Sequence, residues 1–167
     1  MRSQLAVLIF IAWFLLPSRV LSQEDQKRKV LEAVERHATA SKATDIPMIM
    51  KTVDVPYYVG GKLIRERKKL REMLKVEIER TIEASKFTYK VEKIQSYNVF
   101  RRQLSDKDEL KLLDEALGNN GWVVTLKVKY PGNPNDLSPD GPYRRIVLVR
   151  IEKGAGKIVG VYVFTAS

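Results

Sequence analysis

The sequence predicts a single α+β domain, a bent antiparallel sheet packed on N-terminal helices, behind a short export signal. Three observations carry this reading. Apolar residues in the first half recur at spacings of three and four, the period of a helix. In the second half they alternate with polar ones, the period of a strand. The 167 residues, less a leader, make the length of one domain with a core of its own.

The leader comes first. Arg2 precedes an unbroken apolar run, Leu5 to Leu16, which Pro17 and Ser18 end. Val20-Leu21-Ser22 then places valine at −3 and serine at −1 of a signal peptidase site. A bilayer span needs roughly 20 apolar residues, so an uncleaved anchor is the weaker reading. Residues 1–22 are therefore expected to be a cleaved signal peptide, and 23–167 an exported domain, periplasmic or secreted. The chain has no cysteine, which excludes disulfides, thiol catalysis, a lipobox and cysteine metal sites. No Asn-x-Ser/Thr acceptor occurs, which fits a bacterial context. The net charge of +10 falls to about +8 when Arg2 and Arg19 leave with the leader. Such a balance concerns solubility and association with acidic partners, not fold.

Residues 24–41 read as a helix with Val30, Leu31, Val34 and Ala38 as its apolar stripe and Glu24 and Asp25 in the dipole-favoured first turn. A short helix follows at 44–51, capped by Thr44 or Asp45, with Pro47 in its first turn. Residues 53–59 form a strand that Pro56 confines to an edge or an end. Gly60-Gly61 turns the chain. Residues 62–84 read as a long helix with one face of Leu63, Leu70, Leu74, Ile78 and Ile82, its other positions almost all charged.

Residues 86–100 alternate as a long strand, with Phe87, Tyr89, Val91, Tyr97 and Val99 on one parity. Ser105 opens a helix, with Asp108 three residues on and Leu110, Leu113 and Leu117 on its apolar side. Gly118-Asn119-Asn120-Gly121 ends it. A strand from Trp122 to Tyr130, a polar loop at 131–142, and strands at 142–152 and 157–165 close the chain. The last two strands are more continuously apolar, so both their faces should be largely covered, and Lys153 to Gly156 is the hairpin between them.

This order resembles the nuclear transport factor 2-like superfamily, which includes SnoaL-like and ketosteroid isomerase-like proteins. The helix 24–41, the segment Asp54-Val55-Pro56-Tyr57-Tyr58-Val59-Gly60-Gly61-Lys62 with the helix behind it, and the strand pair 142–165 carry the resemblance. It implies a cone, with the sheet wrapped around the helices and a pocket between them. Some members are cofactor-independent isomerases, cyclases or dehydratases; many bind small molecules or dimerise through the sheet. Residues 103–120 depart from the pattern by adding a helix, which would lie over the cone mouth or pad a long loop.

Candidate site residues follow. His37 is the lone histidine and lies beside the stripe of the first helix, where it would serve as a general base or as a packed side chain. Tyr57 and Tyr58 point to opposite faces of their strand, and parity groups Asp54 with Tyr58. A buried tyrosine hydroxyl with an acid would suit an enolate-like oxyanion. Asp54, Tyr58 and His37 are thus the catalytic candidates. Tyr57, Tyr89, Tyr97, Trp122 and Tyr162 are the candidates for lining a pocket. The segment 62–75 holds seven Lys/Arg against two Glu, a solvated helix face or a surface for anionic envelope material. Nothing points to a metal, a cofactor or nucleic acid: one histidine makes no metal cluster, no glycine motif cradles phosphate, and the basic residues lack aromatic interleaving. The reading that results is an exported binding module for a small apolar molecule or a protein partner, a homodimer through the sheet being one such pairing. The alternatives are an isomerase, cyclase or hydratase and an envelope-association module.

Overall fold

The computed structural model describes residues 22–80, 87–129 and 143–162. The expected signal peptide through Leu21, the expected end of the long helix, the expected polar loop at 131–142 and the expected end of the last strand lie outside these residues.

Helix α1 (Gln23–Lys42) starts at Ser22, whose hydroxyl accepts from the Asp25 amide at 3.1 Å. The buried stripe runs through Val30, Ala33, Val34, Ala38 and Ala40, while Leu31 is 39% exposed. The expected stripe is therefore turned toward its alanines. The cause is close approach: a Cβ on Gly156 would sit 2.7 Å from the Ala33 Cβ. Only small residues on α1 let it lie so near the sheet. Helix α2 (Ile46–Thr52) is capped by Asp45, which accepts from the Met48 amide at 2.9 Å.

Strand β1 (Val53–Val59) turns back into β2 (Lys62–Ile64). This corrects the expected start of the long helix at residue 62. Gly60 and Gly61 both take positive φ, 54° and 75°, the backbone of a two-residue hairpin whose twist sends the chain straight back along the strand. Helix α3 (Arg67–Arg80) begins only after this hairpin, with Leu70 and Leu74 buried.

Strand β3 (Thr88–Ser96) stops short of the expected residue 100. Helix α4 (Tyr97–Arg101) takes over, burying Tyr97 and Phe100, one turn apart, and leaving Val99 49% exposed. Helix α5 (Lys107–Leu117) is capped by Asp106, not Ser105: Asp106 Oδ1 accepts from the amides of Asp108 and Glu109 at 2.8 and 3.1 Å. Strands β4 (Gly121–Lys129), β5 (Tyr143–Glu152) and β6 (Ala155–Tyr162) complete the chain. The last hairpin is tighter than expected, with Lys153 and Gly154 alone at positive φ.

The strand order is β2-β1-β6-β5-β4-β3. Every pairing is antiparallel but one: β1 runs parallel to β6, so the sheet is mixed. That junction is irregular, with the register shifting between Val53 and Tyr58. Gly160 permits it, since a Cβ there would lie 2.5 Å from the Tyr58 carbonyl oxygen.

Two cores lie on opposite faces of the sheet. On one face α1, α2 and α3 bring Val30, Val34, Ile49 and Leu70 onto Trp122, Val124, Val149 and Ile158. On the other, α4 and α5 bring Phe100, Leu113 and Leu117 onto Tyr58, Val123, Leu148 and Val159. The strands β5 and β6 are covered on both faces, as their continuous apolar runs require. The added helix lies over neither the mouth nor a loop; it covers the outer face of the sheet.

Candidate functional site

Between α1 and the inner face of β3, β4, β5 and β6 lies a cavity of about 60 Å³. Its wall is mostly apolar, with Val34, Ala38, Leu126, Val128, Val147 and Val161 among the lining. Three polar groups interrupt it: His37, Ser41 and Arg145. The rings of Phe87 and Tyr89 form its β3 side, and Lys42 reaches over both, 5.3 and 5.9 Å from their centroids. The cavity is far below the roughly 300–1,000 Å³ of sites for drug-sized ligands.

His37 faces inward from α1. Its Nδ1 lies 2.8 Å from the Thr52 hydroxyl, which itself donates to the Ile49 carbonyl at 2.7 Å. Since that hydroxyl proton is committed, Nδ1 carries the proton and donates to Thr52 Oγ1, leaving Nε2 as the acceptor of a neutral ring. Burial, with the Arg145 charge adding to it, lowers the His37 pKa to about 4. Arg145 comes from β5, and its Nη2 donates to Glu77 of α3 at 3.2 Å. Tyr57 is buried on the same side; burial raises its pKa, Arg145 opposes the shift and Glu77 adds to it. Arg145 is thus the charge to which both His37 and Tyr57 respond.

No protein-family model matches the chain, and no curated protein matches it. Solved structures do. A protein named Rd1NTF2_05 is similar over 84% of this chain and 97% of its own, with a TM-score of 0.50 and 12% identity. A protein of unknown function with a cystatin-like fold from Nostoc punctiforme PCC 73102 is similar over 87% of this chain and 96% of its own, with a TM-score of 0.51 and 10% identity. A putative ketosteroid isomerase from Shewanella frigidimarina NCIMB 400 is similar over 80% of this chain and 92% of its own, at a TM-score of 0.49 and 12% identity. The fold is that of the nuclear transport factor 2-like superfamily.

Within this fold the three catalytic candidates occupy three separate environments. His37 is on the inner side. Tyr58 is on the outer side, where its hydroxyl donates to Glu109 at 2.7 Å and its ring stacks on Tyr162 at 6.0 Å. Burial raises its pKa, and the Glu109 bond adds to that. Asp54 accepts from Arg67 at 3.2 Å, lies 3.6 Å from Arg150, and also accepts from the Val55 amide. It is a tie between arginines and does not meet the other two.

The lining candidates divide in the same way. Tyr89 lines the cavity, and Tyr57 and Trp122 are buried in the inner core. Tyr97 and Tyr162 belong to the outer face. Tyr97 donates to Asp114 at 2.8 Å, and Tyr162 donates to Glu109 at 3.1 Å. Sequence reasoning did not single out Arg145. Strand parity held the signal: Arg145 shares its face with Val147 and Val149, the inner face of β5. Among the described residues, no three His, Asp or Glu gather as a metal site and no helix is long and apolar enough to cross a membrane.

Proposed function

We propose that the protein is a non-catalytic binding module for a small amphipathic molecule, held in the cavity between α1 and the sheet. The observation that carries the proposal is Arg145, a cation set into an otherwise apolar wall beside a neutral His37. Such a wall accommodates an apolar body, and the guanidinium favours a carboxylate or carbonyl oxygen at its end. Phe87 and Tyr89 add ring faces, and the cavity's size restricts the ligand to a few heavy atoms. In the exported protein that the leader predicts, this would be a carrier or sensor site. Isomerase, cyclase or hydratase chemistry by Asp54, Tyr58 and His37 draws no support from this geometry, because the three groups do not share a cavity.

The test is a methyl NMR titration with propionate. Val34, Val147 and Val161 should shift with saturation, and Arg145→Met should weaken binding about tenfold or more. Absence of saturable shifts at those methyls, or equal binding by the variant, would overturn the reading.

A further inference from the structure

Lys90, Lys127 and Arg144 stand opposite one another on three adjacent strands, β3, β4 and β5. Their parity is opposite to that of Tyr89, Val91, Leu126 and Val128, which belong to the inner core. All three cations therefore face outward. Lys129 lies two residues along β4, across from Thr88, and Lys93 is paired with Thr125 where β3 bulges. Strands lie about 4.8 Å apart and alternate residues about 6.8 Å, so five cations share a patch roughly 10 by 15 Å across. Lys90, Lys93, Lys129 and Arg144 are exposed and Lys127 is half-buried. Glu92 is the acid on this patch, 3.0 Å from Arg144 Nε. Among the described residues none of the four lysines enters an ion pair.

Like charges directly opposite on a sheet face repel and cost stability. Lysines on an edge strand guard against edge-to-edge pairing, which accounts for Lys90 and Lys93 on β3. It does not account for Lys127 and Arg144, which lie on β4 and β5, inside the sheet. Among the described residues, α4 and α5 pack on the other end of this outer face and none covers the cations.

We propose that this end of the sheet binds a linear acidic polysaccharide lying across the strands. Lys90, Lys127 and Arg144 form a row that steps about 4.8 Å per strand, within reach of carboxylates along a uronate chain laid across it. The hydroxyls of Thr88 and Thr125 share the face and suit sugar hydroxyls. Single-stranded nucleic acid fits less well, since among the described residues the patch offers no ring for a base to stack on. A bilayer fits less well, since among the described residues the patch offers no apolar side chain to enter the interface. A second copy seated on this face would bring the same cations together.

The experiment measures binding of the purified protein to polygalacturonate at about 20 and about 300 mM salt. Binding should weaken at least tenfold at the higher salt. K90Q/K127Q, shown folded by its thermal melt, should bind on the order of 20-fold more weakly at low salt. K68Q/R71Q on the basic face of α3 should stay within about twofold of the parent chain. If the double variant fails to fold, Lys90→Gln alone, on the exposed outer strand, should weaken binding on the order of fivefold. The proposal is overturned by any of four results: no binding to polygalacturonate, equal binding to a neutral galactan, a loss that follows the α3 variant, or tighter binding at equal salt to single-stranded DNA or phosphatidylglycerol vesicles.

Discussion

Tyr58 and Tyr162 donate to the two oxygens of one carboxylate, Glu109, at 2.7 and 3.1 Å. The tyrosines come from β1 and β6, and Glu109 from the first turn of α5. Two parallel strands and the helix over them are thereby joined at one point. Phe100 of α4 closes the group, edge-on to Tyr162 at 5.9 Å. A fold-level analogy would put Tyr58 in a pocket; in this chain its hydroxyl fixes the added helix instead.

Tyr58→Phe keeps the stacked ring and removes one charge-assisted hydrogen bond, so it should cost about 1–2 kcal/mol. Glu109 then still accepts from Tyr162. The double variant Y58F/Y162F leaves the carboxylate with neither donor and should cost more than the two single changes together. Urea unfolding of the three variants measures this. An additive result would mean that the two bonds act independently and that Glu109 is not their shared anchor.

His37 predicts a pH dependence. Its folded-state pKa is depressed to about 4 from the ordinary histidine value of 6.5. Between these values the unfolded chain binds a proton that the folded chain does not, so stability rises with pH there. The contribution is full above pH 6.5 and is lost as pH falls toward 4. Part of the ring edge still meets solvent, so the loss should be on the order of 2 kcal/mol rather than the full shift. The carboxylates of Asp25, Asp114 and Glu115 are each held below the usual range by a hydrogen-bond partner, so what they contribute is lost only toward the acid end. Unfolding of the parent chain and of His37→Gln at pH 7, 5.5 and 4.5 reads the difference. A variant with the same slope as the parent would remove His37 from this role.

The helix pattern, the alternating strands and the apolar last hairpin carried the architecture, because burial on one face or both is written directly into spacing. Boundaries were legible only where a local group fixes them. Gly60-Gly61 marked a turn, yet the three-residue strand behind it was hidden inside a longer helical pattern. The outer face was the harder part. Nothing local says that Leu113 and Leu117 will lie on Val123 and Leu148, since that contact joins segments distant in sequence. Tyr58 shows the consequence: parity assigned it a side of β1, but which core that side meets depends on α5. Arg145 and Lys127 were legible in principle, since each follows from the strand period once the inner face is known.

Arg150, on β5, ties α5 to β1 from the other end. Its Nη1 donates to the Ala116 carbonyl in the last turn of α5 at 2.6 Å, and its Nη2 donates to the Val55 carbonyl in β1 at 3.2 Å. Asp54 lies 3.6 Å from Nη2, and Glu152 lies 2.6 Å from Nε without the alignment of a hydrogen bond. The side chain is 12% exposed, so these groups gain little from water if the guanidinium is removed. Arg150→Met should cost about 3 kcal/mol, chiefly because two carbonyls and a carboxylate lose their donor. Arg150→Lys should recover less than half of that loss, since one ammonium cannot reproduce a planar fork aimed at two carbonyls. Urea unfolding measures both, and hydrogen exchange at the last turn of α5 locates the effect: protection there should fall in the variant before it falls in β4. A cost below about 1 kcal/mol with α5 protection unchanged would mean that Leu113 and Leu117 alone hold the helix and that the arginine merely fills the junction.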